Sequence, residues 1–286
     1  MSNIQNVSDT ARWVAVYRAM ETARPDAIFR DPYAERLAGD QGRKIVEEMK
    51  SGRAMAWPMI VRTAVMDELI LDRVKQGGVD TVLNLAAGLD TRAWRLPLPA
   101  TLRWVDVDLP AMTEYKASLM RDETPVCKYE TIAADLTNTA VREALFSQTG
   151  LAARKMLVIT EGLLVYLSPE EVESLARAIH AMRSAHWWIT DIANPMLLEW
   201  MRKSWGQSVE KGNAPFKFGP ENSTAFFDAL GWREVVYRSM VEEAQRLHRE
   251  MRMMWLWRFM GRFMSAKRRA ATKRMSGTIL LERIDR

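Results

Sequence analysis

The run Val79–Ala86 reads as a buried strand and leads into Asn84-Leu85-Ala86-Ala87-Gly88-Leu89-Asp90-Thr91-Arg92. A turn of small residues after a buried strand lets a ligand approach the backbone closely, and Gly88 is the residue best suited to allow it. About twenty residues further on, a second strand-like run, Thr101–Asp108, ends in Asp106 and Asp108. A carboxylate there suits a ribose diol, because it accepts two hydroxyl hydrogen bonds. The glycine pattern of a pyrophosphate loop is missing, since only Gly88 in this turn is a glycine. That disfavours NAD and FAD and favours a nucleoside cofactor without a pyrophosphate. The competing reading is a plain turn followed by an unrelated acid. The histidines are His180, His186 and His248. His180 falls late in a predicted helix and His186 opens a strand, so both read as structural. His248 is the one candidate for a base beside a substrate.

These residues need a scaffold to bring them together. The chain has 286 residues, 48% hydrophobic and 27% charged, within the range of globular proteins. One α/β domain with extensions fits that length as well as two domains do. The single cysteine, Cys127, excludes an internal disulfide framework and fits a reducing compartment. The opening MSNIQNVSDT lacks an apolar core, and no window approaches about 20 consecutive apolar residues. The expectation is a cytoplasmic protein without a signal peptide or membrane span. Further strands are expected at Lys128–Ala133, Lys155–Thr160 and Trp187–Ile192, with helices at Leu109–Arg121 and Ser168–Met182. The latter opens Ser168-Pro169-Glu170-Glu171, an N-cap, a first-turn proline and early carboxylates. Strands alternating with helices predict a parallel sheet with right-handed crossovers. Upstream, Val7–Thr22, Pro32–Lys50 and Met55–Gln76 read as helices. Downstream, Gly206–Pro220 reads as a loop, and Gly231–Ser239 and Thr278–Ile284 as strands flanking a helical insertion. One domain is expected: a helical cap over 1–78, a cofactor core over 79–192 and an acceptor or lid region over 193–286, with the insertion at about 241–275.

Taken with its neighbours, the turn becomes specific. Asn84–Arg92 resembles the N-L-G-A-G-x-D-T-R turn of the leucine carboxyl methyltransferase family, which uses S-adenosylmethionine and has a bacterial branch of O-methyltransferases. Val105-Asp106-Val107-Asp108-Leu109-Pro110 is similar to its E-V-D-x-P segment, Ala134-Asp135-Leu136 to its A-D-L step, and Thr160–Leu167 to its E-G-x-x-x-Y-L segment. Arg18-Ala19-Met20-Glu21, Asp31-Pro32-Tyr33-Ala34 and Val61-Arg62-Thr63 resemble the bacterial branch. The departures are Ala86 where the family usually has glycine, which adds a methyl beside the cofactor, and Asp106 where glutamate is commoner. The resemblance implies a class I methyltransferase fold, a Rossmann-like seven-stranded α/β sheet with an antiparallel last strand.

Roles come from the resemblance one residue at a time. Arg62 resembles the arginine that pairs with the cofactor's methionine carboxylate; the alternative is a helix-surface arginine. Gly88 and Ala86 lie at the backbone approach, Asp108 at the ribose with Asp106 as fallback, and Asp135 with Leu136 at the adenine. Glu161 accepts from the cofactor ammonium, lines the acceptor site, or caps the next helix. Tyr166 is either core or site. Asp90 and Arg92 read best as a structural ion pair. Glu161, Tyr166 and His248 are the catalytic candidates, and no metal is implied. In-line methyl transfer asks for positioning and exclusion of water. Lacking an obvious base, the chain is expected to act on an already acidic small molecule, a carboxylic acid or an acidic hydroxyl or enol compound. Arg18 and Arg24 are candidates to neutralise it. The alternatives are a membrane- or carrier-associated natural-product methyltransferase acting on an enol or phenol, and a non-catalytic binding protein on the same fold.

Residues Arg246–Arg274 carry ten bases opposed locally only by Glu250, interleaved with Met, Trp and Phe from Met251 to Met264. Three readings compete: a lid packed over the acceptor pocket, an interfacial helix on an anionic membrane surface, and a surface for an acidic carrier protein. The modest net charge of +5 disfavours nucleic acid.

Overall fold

All seven expected strands form and join one sheet. The computed structural model describes residues 7–49, 52, 55–210, 215–251, 254 and 265–285. The strands are β1 (Thr81–Leu85), β2 (Arg103–Asp108), β3 (Lys128–Ala133), β4 (Met156–Thr160), β5 (Ala185–Ala193), β6 (Trp232–Ser239) and β7 (Ser276–Arg283). Their order is β3-β2-β1-β4-β5-β7-β6. The first five run parallel, and β7 lies antiparallel between β5 and β6. β1 and β4 are buried along their whole length, as strands covered on both faces must be. Strand order reverses between β1 and β4, so a crevice opens at their carboxyl ends.

The helices are α1 (Val7–Thr22), α2 (Ala34–Glu48), α3 (Ala56–Gln76), α4 (Arg92–Arg95), α5 (Pro110–Met120), α6 (Thr139–Leu151), α7 (Pro169–Ala181), α8 (Pro195–Glu210), α9 (Met240–Arg246) and α10 (Ala266–Lys273). Alternation along each strand divides the core into two layers. Val82, Trp104, Leu157 and Ile189 pack against α1, α2 and α3; Leu83, Val105, Val158 and Trp188 pack against α6 and α7. Asn84, Asp106 and Asp108 share the face of Val82 and Trp104, so the N-terminal helices cover the side on which these polar groups stand. α7 begins with the expected cap: Ser168 and Glu171 exchange hydrogen bonds in a full capping box.

Two expectations change. Gly206–Pro220 is not a loop throughout, because α8 continues to Glu210; one glycine within four helical turns costs only about 1 kcal/mol. The insertion is not one helix: α9 comes directly after β6 and α10 precedes β7. Residues 255–264, which hold Trp255, Leu256, Trp257, Phe259, Met260, Phe263 and Met264, lie outside the described residues, as do Arg252 and Met253. No described helix is long and apolar enough to cross a membrane.

Candidate active site

The turn after β1 is shaped by its backbone. Ala86 has φ +52° and Gly88 φ +53°. The left-handed region carries little penalty for glycine but costs an alanine about 1 kcal/mol. A side chain at Gly88 would also come within 3.1 Å of the Ala11 Cβ on α1. Gly88 N donates to Asp108 Oδ2 at 2.6 Å, and Leu109 N donates to Asp108 Oδ1 at 2.7 Å. Each carboxylate oxygen therefore holds one backbone donor and keeps capacity for a second. Burial pushes the Asp108 carboxyl above its usual range.

Asp106, two residues back, is spent inside the fold. Its carboxylate accepts from Asn84, Trp104, Tyr129 and Lys116, the last at 2.6 Å. It does not border the cavity beside the turn, and the fallback reading of Asp106 as the ribose acid is set aside in favour of Asp108.

A chain of ion pairs runs across the strand ends. Arg92, 2% exposed, donates to Asp67, Asp90 and Glu161 at 2.6, 2.6 and 2.7 Å. The Asp90–Arg92 pair is the structural one expected. Arg62 Nε donates to Glu161 Oε1 at 3.0 Å, and Nη1 to Asp191 Oδ2 at 3.3 Å. Gly162 N holds the other Asp191 oxygen at 2.6 Å. Gly162 has φ +65°, and a Cβ there would lie 3.2 Å from the Arg62 guanidinium. Glycine after Glu161 thus leaves Arg62 its place. Burial alone would raise the Glu161 carboxyl, but Arg92 and Arg62 hold it below its ordinary value. Glu161 is not a helix cap; that position belongs to Ser168.

Arg62, Ala86, Gly88, Asp108, Glu161 and Tyr166 all line one cavity of about 1170 Å³. Tyr166 stacks on Phe216 with ring centroids 5.6 Å apart, and burial pushes its hydroxyl up to about 12. Arg18 also borders the cavity, with Nε on Asp31 and Nη2 on the Leu89 carbonyl. Four expected residues are not brought there. Asp135 is exposed and occupied by Thr137, and Leu136 packs into the layer beneath α6 and α7. His248 is exposed and Arg24 pairs with Asp26 at the surface, so neither lines the cavity. Asp191 was missed from sequence; it is an acid at the carboxyl end of a strand, the same signal that marks Asp108 and Glu161. His180 and His186 are structural, bonded to the Ile284 and Ser184 carbonyls. No metal-binding cluster occurs among the described residues.

The family's sequence model for leucine carboxyl methyltransferase matches residues 11–180, more than half of the chain. The chain belongs to the leucine carboxyl methyltransferase family. Among its relatives, a Streptomyces coelicolor protein is 38% identical over 180 residues, which cover 59% of this chain and 63% of that protein. The match thus spans less than two thirds of that relative. A Mycolicibacterium smegmatis protein is 30% identical over 259 residues, covering 81% and 85%. Both are provisionally named S-adenosyl-L-methionine-dependent methyltransferases. A Thermobifida fusca crystal structure described provisionally as a methyltransferase superposes with a TM-score of 0.58 at 14% identity, covering 99% and 96% of the two chains. A Streptomyces avermitilis structure gives 0.55 at 12% identity, covering 94% and 96%. At such identities the likeness is one of fold, that of class I methyltransferases.

The family match ends before α8, and the residues beyond it close the other side of the cavity. Met251, Met254 and, on α10, Arg269, Thr272 and Lys273 border it. Several bases of Arg246–Arg274 are tied to carboxylates outside that stretch, most of them far away along the chain and one, Glu243, on the same helix as its partner Arg246. Arg246 pairs with Glu68 and Glu243, Arg249 with Glu21 and Asp26, Lys273 with Glu242 and Arg274 with Glu234.

Proposed function

We propose that the chain is an S-adenosylmethionine-dependent O-methyltransferase acting on a carboxylic acid or an acidic hydroxyl or enol compound. The observation that carries this reading is Asp108, facing the cavity at the strand-order reversal with each oxygen anchored by one backbone N–H. That arrangement fits a ribose diol, and the Gly88 turn lets the nucleoside lie against the backbone. Arg62 supports the methionine end: its bonds to Glu161 and Asp191 use Nε and Nη1, which leaves Nη2 for a carboxylate. Glu161 and Asp191 are acceptors for the ammonium group. Held by these residues, S-adenosylmethionine would supply a methyl activated as a sulfonium and leave as neutral S-adenosylhomocysteine, so an acceptor oxygen already anionic would need no residue of this chain to remove a proton.

The acidic acceptor is supported by what borders the cavity. None of the three histidines does so. Glu161 is neutralised by two arginines and is a poor base, and the Tyr166 hydroxyl stays protonated near neutral pH. The test is calorimetric titration with S-adenosylhomocysteine, followed by mass-spectrometric detection of methyl transfer to carboxylic acids, enols and phenols. Micromolar binding and transfer to ionised acceptors support the reading. No binding at millimolar ligand refutes it, and binding without transfer to any acceptor leaves a non-catalytic binding protein.

A further inference from the structure

The cavity has two chemically different ends. The end at β1, β2, β4 and β5 is charged, lined by Asp108, Asp90, Arg92, Arg62, Glu161 and Asp191. The other end is walled by the start of α3, by α8, by the start of α9 and by the segment leading to β7. Its side chains include Trp57, Met59, Trp200, Met201, Met254 and Met275. Nine of the chain's 19 methionines line the cavity. A site for one drug-sized ligand holds roughly 300–1,000 Å³; at about 1170 Å³ this one exceeds that range, room for a nucleoside and a second molecule together.

We infer that the second compartment takes the body of a long, flexible, lipophilic acid, whose ionised head lies toward the charged end. This rests on the methyltransferase reading of the site. Methionine has three rotatable side-chain bonds and a polarisable sulfur, so a methionine wall adapts to chains of different length and bend. A rigid polar acceptor would need several fixed hydrogen-bonding partners in that wall; the α8 side is apolar, with Met196, Leu197, Trp200 and Met201, and on the approach to β7 Met275 is joined by the polar Arg269, Thr272 and Lys273 of α10. Met196 and Trp200 on α8 and Met251 line the cavity while 63%, 45% and 37% exposed, giving the compartment an apolar rim through which such a chain enters. The apolar walls contributed by α8 and α9 lie beyond residue 180, outside the part of the chain that matches the family model. Both ends thus draw on the matched part and on residues beyond it: Asp191 at the charged end, and α8, α9 and Met275 at the apolar end, opposite Trp57 and Met59 of the matched α3.

The test uses the full-length protein and straight-chain saturated fatty acids of increasing length as probes. Binding is read by tryptophan fluorescence, to which Trp57 and Trp200 contribute, with and without S-adenosylhomocysteine; methyl ester formation is read by mass spectrometry. Each added methylene should tighten binding about fourfold until the compartment is filled. Met201→Glu, which places a charge in the wall, should flatten that dependence and weaken the longest well-bound acid at least tenfold, while Met201→Leu should keep it. S-adenosylhomocysteine binding by Met201→Glu reports an intact fold. A wild-type affinity that does not rise with chain length overturns the inference even when S-adenosylhomocysteine binds. A clear length dependence without ester formation upholds the compartment and counts instead against methyl transfer to carboxylates.

Discussion

Replacing Asp108 by alanine tests the ribose-binding role proposed for this acid apart from the structural role of Asp106. Asp108 holds Gly88 N at 2.6 Å and Leu109 N at 2.7 Å, and each oxygen retains capacity for one ribose hydroxyl. A hydrogen bond to a charged acceptor contributes roughly 1.5 kcal/mol or more, so losing two costs about 3 kcal/mol. That is a hundredfold or greater loss of S-adenosylhomocysteine affinity, since about 1.4 kcal/mol is tenfold. Asp108→Asn keeps shape and one neutral acceptor and should lose about tenfold. Asp106→Ala leaves Lys116 buried without its partner, with side-chain exposures of 6% and 3% for the pair, and should cost about 3–5 kcal/mol of stability. Calorimetry gives the affinity and differential scanning fluorimetry the stability. Burial raises the Asp108 carboxyl, so the wild-type affinity should begin to fall at a higher pH on acidification than for an ordinary carboxylate. The asparagine variant should lack that step. A folded Asp108→Ala that binds within threefold of wild type would refute the ribose assignment.

Four other outcomes are expected. Asp191→Asn should weaken S-adenosylhomocysteine binding about five- to tenfold, by loosening Arg62 and weakening an acceptor for the ammonium group, with little change in melting temperature; calorimetry beside Arg62→Ala and the double variant measures how much of the effect passes through Arg62. Arg249→Met strands Glu21, whose side chain is fully buried, and should destabilise by about 3–5 kcal/mol, with Glu21→Gln in the same background recovering part of the loss on denaturant titration. Ala86→Gly relieves a positive φ and should stabilise by about 1 kcal/mol, read in the same way. Burial would raise the Asp31 carboxyl, but Arg18, Arg95 and Thr91 hold it lower still. Its folded value lies below the unfolded one of about 3.9, so its contribution is present above that pH and disappears as pH falls through the folded value. Melting temperatures from pH 7 to pH 2 should show this acid-side loss, and Asp31→Asn should reduce it.

Much of the cofactor end was legible because its information is local. Buried aliphatic runs mark β1 and β4, the Ser168-Pro169-Glu170-Glu171 cap marks α7, and acids at strand ends mark Asp108 and Glu161. Each depends on residues close in sequence, through hydrogen bonding within one turn or alternation along one strand. The family motifs, from Arg62 to Tyr166, are likewise contiguous segments placed at the ends of predictable strands.

Which of two acids faces the cavity is a different kind of question. Asp106 and Asp108 share a strand face, and only the packing of Trp104, Lys116 and Tyr129 around the first commits it to the interior. Likewise, Asp135 is turned to its own loop by Thr137, and Asp191 is recruited by an arginine 129 positions away. The basic stretch shows the same limit most clearly. Its bases look unopposed along the chain, yet Arg246, Arg249 and Arg274 meet Glu68, Glu21 and Glu234 across the fold. The strands themselves, the α7 cap and the small-residue turn after β1 were written in neighbouring residues. The partners of charges, and the methionine-lined compartment assembled from α3, α8, α9 and the approach to β7, were decided by tertiary structure, because charge pairing and cavity shape depend on distance in space and not along the chain.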